Sequence, residues 1–252
     1  MRAFKTSGEY VLLDIGTLDI PAADALMQKL VTKRQHETIP DMLLFLSYVP
    51  CLAVGARQLN ENDFLKPQRY FKERGITLYK TARGGGLTYH WPGQLVTFPI
   101  VKLQANEQNI PSFMRKLEEI GLRTLAEVGI TAHRKREETA QIGLWVGDDK
   151  IASMGIRISR WVTSYGFALN LSGDISVSRY IRPCGLDVKL VTVEALIGRH
   201  PSRDDVKEKI RHNFEKIFQR RQITCDKYSA QIKHIVNKHS ATAGGNQKIE
   251  PF

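Results

Sequence analysis

Residues 142–171, IGLWVGDDKIASMGIRISRWVTSYGFALNL, contain three strand-like runs, 142–147, 151–159 and 163–171, with little chain between them. Gly147-Asp148-Asp149 joins the first two and carries the Gly and Asp of a hairpin turn. Strands joined this closely run antiparallel, because a parallel pair needs a crossover of a dozen residues or more. The segment therefore argues against a purely doubly wound parallel sheet.

Outward from it, YVLLDI at 10–15 reads as a first strand, and Ala23, Leu26 and Leu30 after Pro21 recur at helical spacing. Residues 42–48 and 51–55 form short apolar runs suited to buried strands, and 76–81 and 94–100 read as two more. A helix is expected over 61–74, stopped by Gly75, and a longer one through Phe113, Leu117, Ile120 and Val128, ending near Gly129. Val206, Ile210, Phe214, Ile217 and Phe218 make one apolar stripe on a basic helix. Asp204 and Asp205 stand at its start and Arg220 and Arg221 at its end, as the macrodipole favours. These pieces predict one α+β domain with a mixed sheet over 1–222, a helical extension at 223–239 and a disordered tail at 240–252.

The chain has 252 residues, 42% hydrophobic and 25% charged, enough for a core without disulfides or metals. No apolar run approaches the ~20 residues of a membrane span, and the first residues lack a signal-peptide apolar region. A soluble cytoplasmic protein is expected, with no membrane, metal or cofactor. Cys51, Cys184 and Cys225 are odd in number and far apart, which disfavours a disulfide framework or zinc site and suits a reducing compartment. The net charge is +11, more than half of it from residues 199–252. Nucleic acid, an acidic protein or a merely solvated face would each account for it, and charge alone does not choose.

Four segments carry the chemistry. Arg83-Gly84-Gly85-Gly86-Leu87-Thr88-Tyr89-His90-Trp91-Pro92-Gly93-Gln94 places three glycines between strands, which implies a tight turn or a close backbone approach to a ligand. It lacks the second half of a P-loop. Lys150-Ile151-Ala152-Ser153-Met154-Gly155-Ile156-Arg157 opens with a lysine that its place after a turn would ordinarily leave exposed. In Ser164-Tyr165-Gly166-Phe167-Ala168-Leu169-Asn170, Gly166 permits close approach of another group. Arg182-Pro183-Cys184-Gly185 sets a cysteine in a rigid turn, where it is either an inert small residue or a nucleophile.

In this order the segments resemble the octanoyl (lipoyl) transferases of lipoate biosynthesis, within the biotin/lipoyl-ligase superfamily, from about residue 10 to 220. The family pattern RGGxxTYHGPGQ is met by Arg83, Gly84, Gly85, Thr88, Tyr89, His90, Pro92, Gly93 and Gln94. KIxxxGxR is met by Lys150, Ile151, Gly155 and Arg157, HGxALN by Gly166, Ala168, Leu169 and Asn170, and PCG by Pro183, Cys184 and Gly185. The resemblance implies a mixed, largely antiparallel sheet flanked by helices. It also implies an octanoyl donor, acyl carrier protein. The implied acceptor is a lysine on a lipoyl domain of a 2-oxoacid dehydrogenase or on the glycine-cleavage H protein. Nucleic acid is then disfavoured as a partner. Carried over, Cys184 and Lys150 are the catalytic pair. Arg83, Gly84, Gly85, Gly86, Leu87, Thr88, Tyr89, His90, Ser153, Met154, Gly155, Gly166, Phe167 and Ala168 form the substrate-binding set.

Three positions depart from the pattern. Trp91 replaces a glycine, Tyr165 the histidine of HGxALN, and Tyr48, in Ser47-Tyr48-Val49-Pro50, the histidine of an EHxP-like motif. Tyrosine, with a pKa near ~10, is a poor proton acceptor at neutral pH. A lysine ~4 Å from a thiolate attracts it by about 4 kcal/mol at an effective dielectric of ~20, which lowers a thiol pKa by up to about three units. Lys150 can thus keep Cys184 ionised without a histidine. An octanoyl tail buries about six methylenes, but one more or less changes affinity only about four-fold, so chain-length choice needs a steric wall or an abundant carrier. Trp91 is the expected wall. The readings that compete with octanoyl transfer are a lipoyl-domain-to-lipoyl-domain amidotransferase, an ATP-dependent lipoate ligase that PCG disfavours, and a non-catalytic acyl- or nucleic-acid-binding homologue.

Overall fold

The computed structural model describes residues 8–135, 142–183 and 187–223. The expected extension and tail thus fall almost wholly outside the described residues, as do Cys184 and Cys225.

Strands β1 (Glu9–Leu18), β2 (Asp41–Tyr48), β6 (Gln94–Ile100), β7 (Gly143–Val146), β8 (Asp149–Ser159), β9 (Val162–Asn170) and β10 (Arg221–Gln222) form one sheet. Its order is β10-β1-β2-β6-β9-β8-β7. The pairs β10/β1 and β1/β2 are parallel and all the others antiparallel. A second sheet holds β3 (Cys51–Val54), β4 (Thr77–Lys80) and β5 (Leu87–His90) in the order β4-β3-β5. The fold is α+β with a mixed, largely antiparallel sheet, as the sequence implies.

Helices cover both faces of the large sheet, so β2 is buried throughout and reads as a continuous apolar run. Met42, Leu44 and Leu46 pack with helix α1 (Ile20–Gln35), while Leu43 and Phe45 face the other way. That second face packs on α3 (Ile110–Glu127) and α5 (Arg203–Phe218) through Phe113, Leu117, Ile210 and Phe214. Side-chain caps start all three helices: Asp19 accepts from Ala22 N, Asn109 from Ser112 N and Ser202 from Asp205 N.

The helix expected over 61–74 is two pieces. A 3₁₀ turn at Glu61–Asp63 is closed by an Asn60/Asp63 capping box, and α2 runs only over Gln68–Lys72. Pro67 disfavours helical backbone at the residue before it, which breaks the run. Among the strands and α-helices, three escaped the sequence reading: β5, α4 (Val193–Ile197) and the two-residue β10. The basic end assigned to α5 is also different. The helix stops at Phe218, and Arg220 instead pairs with Asp41 at 3.1 Å and Glu107 at 2.8 Å in the interior.

Candidate active site

Between the two sheets lies a cleft of about 450 Å³, part of it open to solvent. Alternation along β5 decides which residues reach it: Thr88 and His90 line the cleft, while Leu87 and Tyr89 point into a separate core with Trp91. The large sheet contributes Val96, Phe98, Ser153, Met154, Gly155, Gly166, Phe167 and Ala168, and the loop before β5 contributes Arg83. Nine of the fourteen expected binding residues therefore share one cavity. Leu87, Tyr89 and the three glycines 84–86 do not line it.

The glycine run crosses the sheet at close range. Gly84 N–H donates to Ile156 O of β8 at 2.9 Å, and a Cβ on Gly155 would sit 2.9 Å from Gly84 O. A Cβ on Gly166 would come within 2.2 Å of Thr97 O on β6. The close approach the glycines permit is thus made to the sheet itself, with the Gly84 donor already engaged.

Lys150 is 3% exposed, contrary to what its place after a turn suggests. The register explains this: β8 begins at Asp149, so Lys150 lies within the sheet rather than before it. Its Nζ stands 5.1 Å from the centre of the Trp145 ring. Lys150 N–H donates to Lys189 O at 2.8 Å, and Val191 N–H donates to Lys150 O at 3.1 Å. The chain that follows Cys184 is thereby fastened alongside Lys150. On the other flank Pro183 is buried, and Arg182 N–H donates to Asp63 O at 2.8 Å. Cys51 is buried in the core, where desolvation pushes its thiol pKa up, the reverse of an activated cysteine.

A buried chain of amides connects Lys150 to His90. Asn170 Nδ2 donates to the carbonyls of Lys150 (3.1 Å) and Val191 (3.0 Å), which fixes the amide's orientation because carbonyls only accept. Asn170 Oδ1 must then accept from Gln94 Nε2, at 3.0 Å. Gln94 Oε1 is left as an acceptor, 2.8 Å from His90 Nδ1. The proton of the neutral imidazole accordingly sits on Nδ1, and Nε2 carries the lone pair. Burial, reinforced by the Arg83 charge, pulls the His90 pKa down to about 3, so the ring is neutral at physiological pH and acts as an acceptor.

The tyrosines in the two histidine positions also meet in the cleft. Tyr48 and Tyr165 both line it, and the Tyr48 ring lies 4.9 Å from that of His90. Desolvation raises both phenol pKa values, so neither is a base. Tyr165 OH accepts from Ala82 N–H at 3.1 Å and donates to Asp24 Oδ2 at 3.2 Å. Burial lifts the Asp24 carboxyl to about 6, against a smaller lowering by the Tyr165 hydrogen bond and Arg83.

Trp91 is not the expected wall. Its indole stacks on Tyr89 at 5.3 Å, and its Nε1–H donates to Ser172 O at 2.8 Å, in the third core cluster and away from the cleft. A residue one place beyond His90 on β5 falls on the opposite face, which the motif alignment does not reveal. Other lining residues were missed: Ile20, Ala53, Thr81, Val96 and Phe98. Val96 and Phe98 alternate along a fully buried strand, but alternation does not say which face meets a cavity. Among the described residues no cluster of three or more His, Cys, Asp or Glu is arranged to hold a metal. No described helix is long and apolar enough to cross a membrane.

A family model for the lipoyl protein ligase A/B catalytic domain matches residues 19–215. The chain belongs to this family. A protein named octanoyltransferase from Solibacter usitatus is 40% identical over 207 residues, spanning 82% of this chain and 92% of that protein. Another of that name from Desulforamulus reducens is 34% identical over 206 residues, covering 81% and 89%. A crystal structure of lipoate-protein ligase A bound with ATP superposes with a TM-score of 0.72, covering 93% of this chain and 96% of that one. Its identity of 18% makes it a likeness of fold. The family and fold class that the motifs imply are thus borne out.

Proposed function

We propose that the chain is an acyltransferase that moves an octanoyl group from acyl carrier protein to a lysine of a lipoyl domain, through a thioester on Cys184. One observation carries the reading. Lys150 is buried beside backbone that leads from Cys184, three residues along β8 from the Ser153 that lines an apolar cleft. The octanoyltransferase relatives support the same activity.

In the first half-reaction the Cys184 thiolate attacks the donor carbonyl, the carbon–sulfur bond to the carrier breaks, and the departing thiolate takes a proton from the Lys150 ammonium. Lys150 is then a neutral amine. In the second half-reaction the acceptor lysine, as a free amine, attacks the Cys184 thioester. The amide bond forms, Cys184 leaves as thiolate, and the proton shed by the acceptor nitrogen returns to Lys150. Charge and protons are restored after one cycle without ATP. Burying about six methylenes of the octanoyl tail supplies roughly 5 kcal/mol of binding. The acceptor is a lipoyl domain of a 2-oxoacid dehydrogenase or the glycine-cleavage H protein, in a reducing cytoplasm that keeps Cys184 free.

Intact-mass analysis after mixing with octanoyl carrier protein tests this reading. Wild type gains one octanoyl group and passes it to an added lipoyl domain without ATP, while Cys184→Ala stays unmodified. An unmodified wild type, or transfer that requires ATP, refutes it.

A further inference from the structure

The wall that the sequence assigned to Trp91 stands elsewhere. Residues opposite one another on β8 and β9 form rows: Ser153 with Ala168, Met154 with Phe167, Gly155 with Gly166 and Ile156 with Tyr165. The first three rows line the cleft on both strands, and Tyr165 is its lining residue in the fourth. In the next row, Arg157 with Ser164, neither residue reaches it. Counted from Lys150 at the start of β8, Tyr165 is therefore the last lining residue. It lies about 20 Å away at roughly 3.3 Å per row, too far to touch the reacting atoms.

Tyr165 is also held more firmly than a β-strand residue requires. Its φ is +58°, a left-handed conformation that strains an aromatic residue and persists only where surroundings enforce it. The β6–β9 ladder stops at Thr97 with Phe167, and Tyr165 N–H turns instead to Met27 Sδ of α1 at 3.2 Å. The hydroxyl is clasped between Asp24 of α1 and Ala82 N–H, and Phe98 packs edge-on against the ring at 5.7 Å.

We infer that Tyr165, clamped by Asp24 and Ala82, is the end wall of the acyl pocket and sets the longest chain it admits. The inference rests on the octanoyl-transfer reading and names its specificity residue. Rigidity is what the task demands, since a wall that yields cannot discriminate where each methylene is worth only about four-fold.

The experiment measures calorimetric binding of hexanoate, octanoate, decanoate and dodecanoate, alongside octanoyl and decanoyl transfer from carrier protein. The proteins are wild type, Tyr165→Gly and Tyr165→Phe. Glycine relieves the positive φ and removes the ring, so the limit should move to longer chains. The decanoate-to-octanoate affinity ratio should rise about fifteen-fold, the worth of two newly buried methylenes. Tyr165→Phe keeps the ring but loses the clasp of Asp24 and Ala82, so the limit should soften by much less than in the glycine variant. If Tyr165→Gly does not fold, Tyr165→Asn, which tolerates left-handed backbone, replaces it. An unchanged length profile in the glycine or asparagine variant overturns the inference, as does a shift of equal size in Tyr165→Phe. Loss of transfer in wild type together with a shifted binding profile would refute the octanoyl-transfer reading and leave the wall standing.

Discussion

Replacing Asn170 by alanine tests the buried chain that links Lys150 to His90. Three hydrogen bonds disappear, but their consequences are unequal. The carbonyl of Lys150 keeps Val191 N–H at 3.1 Å, and Gln94 Nε2 retains a long contact to Tyr89 O at 3.4 Å. The carbonyl of Val191 is left without the 3.0 Å donor it has now. A buried polar group stripped of its partner costs about 1–3 kcal/mol. One bare carbonyl and one half-satisfied amide therefore predict a loss of about 2–4 kcal/mol, a large part of a typical ~5–15 kcal/mol total. The second consequence is chemical. Without Asn170 Oδ1, only the long contact to Tyr89 O biases which way the Gln94 amide points, and His90 gains access to its other tautomer. Urea unfolding followed by tryptophan fluorescence reads the first effect, and ¹⁵N spectra of the imidazole read the second. Asn170→Asp should do no better, since a carboxylate can accept from Gln94 but cannot donate to either carbonyl. A stability loss well under ~1 kcal/mol, or a His90 ring still protonated only on Nδ1, would show that the amides do not set the orientation argued here.

Asp41 accepts from Arg34 Nε at 2.7 Å, Arg220 Nε at 3.1 Å and Lys102 N–H at 3.0 Å, so Asp41→Ala strands buried guanidinium charge. A loss of about 3–5 kcal/mol is expected in urea unfolding, and one near zero would show that the pair is dispensable. Asp24, lifted to about 6 in the fold, binds its proton more tightly there than in the unfolded chain. Its contribution thus falls as pH rises from about 4 to 6, and Asp24→Asn should gain on wild type by up to about 1.4 kcal/mol per pH unit across that window. His90 works in the opposite sense: held neutral down to about 3, it costs stability as pH falls below about 6.5, where the unfolded imidazole takes up a proton. Asp24→Asn should therefore show a steeper acid loss than wild type, and parallel stability–pH curves would contradict the Asp24 assignment. With a net charge of +11, kcat/KM toward an acidic carrier protein should drop steeply with added salt, and a flat response would count against electrostatic steering.

Much of this was legible in the sequence because the signals were local. The Gly147-Asp148 turn gives the β7–β8 hairpin, the run at 42–48 gives a strand buried on both sides, and the apolar stripe of α5 gives its packing face. Gly166 reads as a point of close approach, and that is where β6 presses on the sheet; Gly155, where the glycine loop presses, is marked only by its motif. What stayed hidden depended on partners distant in the chain. β10 is two residues long and exists only because β1 offers it an open edge. Trp91 and His90 are neighbours in one motif, yet the strand's pleat sends them to opposite sides. Lys150 looked exposed until the 189–191 segment was laid against it. Asp24 gave no signal at all, being one acidic residue on a helix whose significance comes from Tyr165, 141 residues away.

The two tyrosines in histidine positions take on a different meaning once distances along β8 are considered. If histidines there had served proton transfer, their loss would strip the reaction of its base. Tyr165, however, is the last lining residue counted along β8 from Lys150, and its hydroxyl is occupied as both donor and acceptor. Tyr48 is packed against His90, whose own pKa is too low for it to hold a second proton near neutrality. None of the three rings can carry a proton between donor and acceptor at neutral pH. In the proposed cycle that duty passes to Lys150, while the aromatic groups shape the cleft and His90 offers a fixed lone pair. A bell-shaped pH profile governed by a group near 6–7 would speak for histidine catalysis. On the proposed cycle the acid limb of kcat/KM should instead follow ionisation of the Cys184–Lys150 pair and survive His90→Gln unshifted in pH.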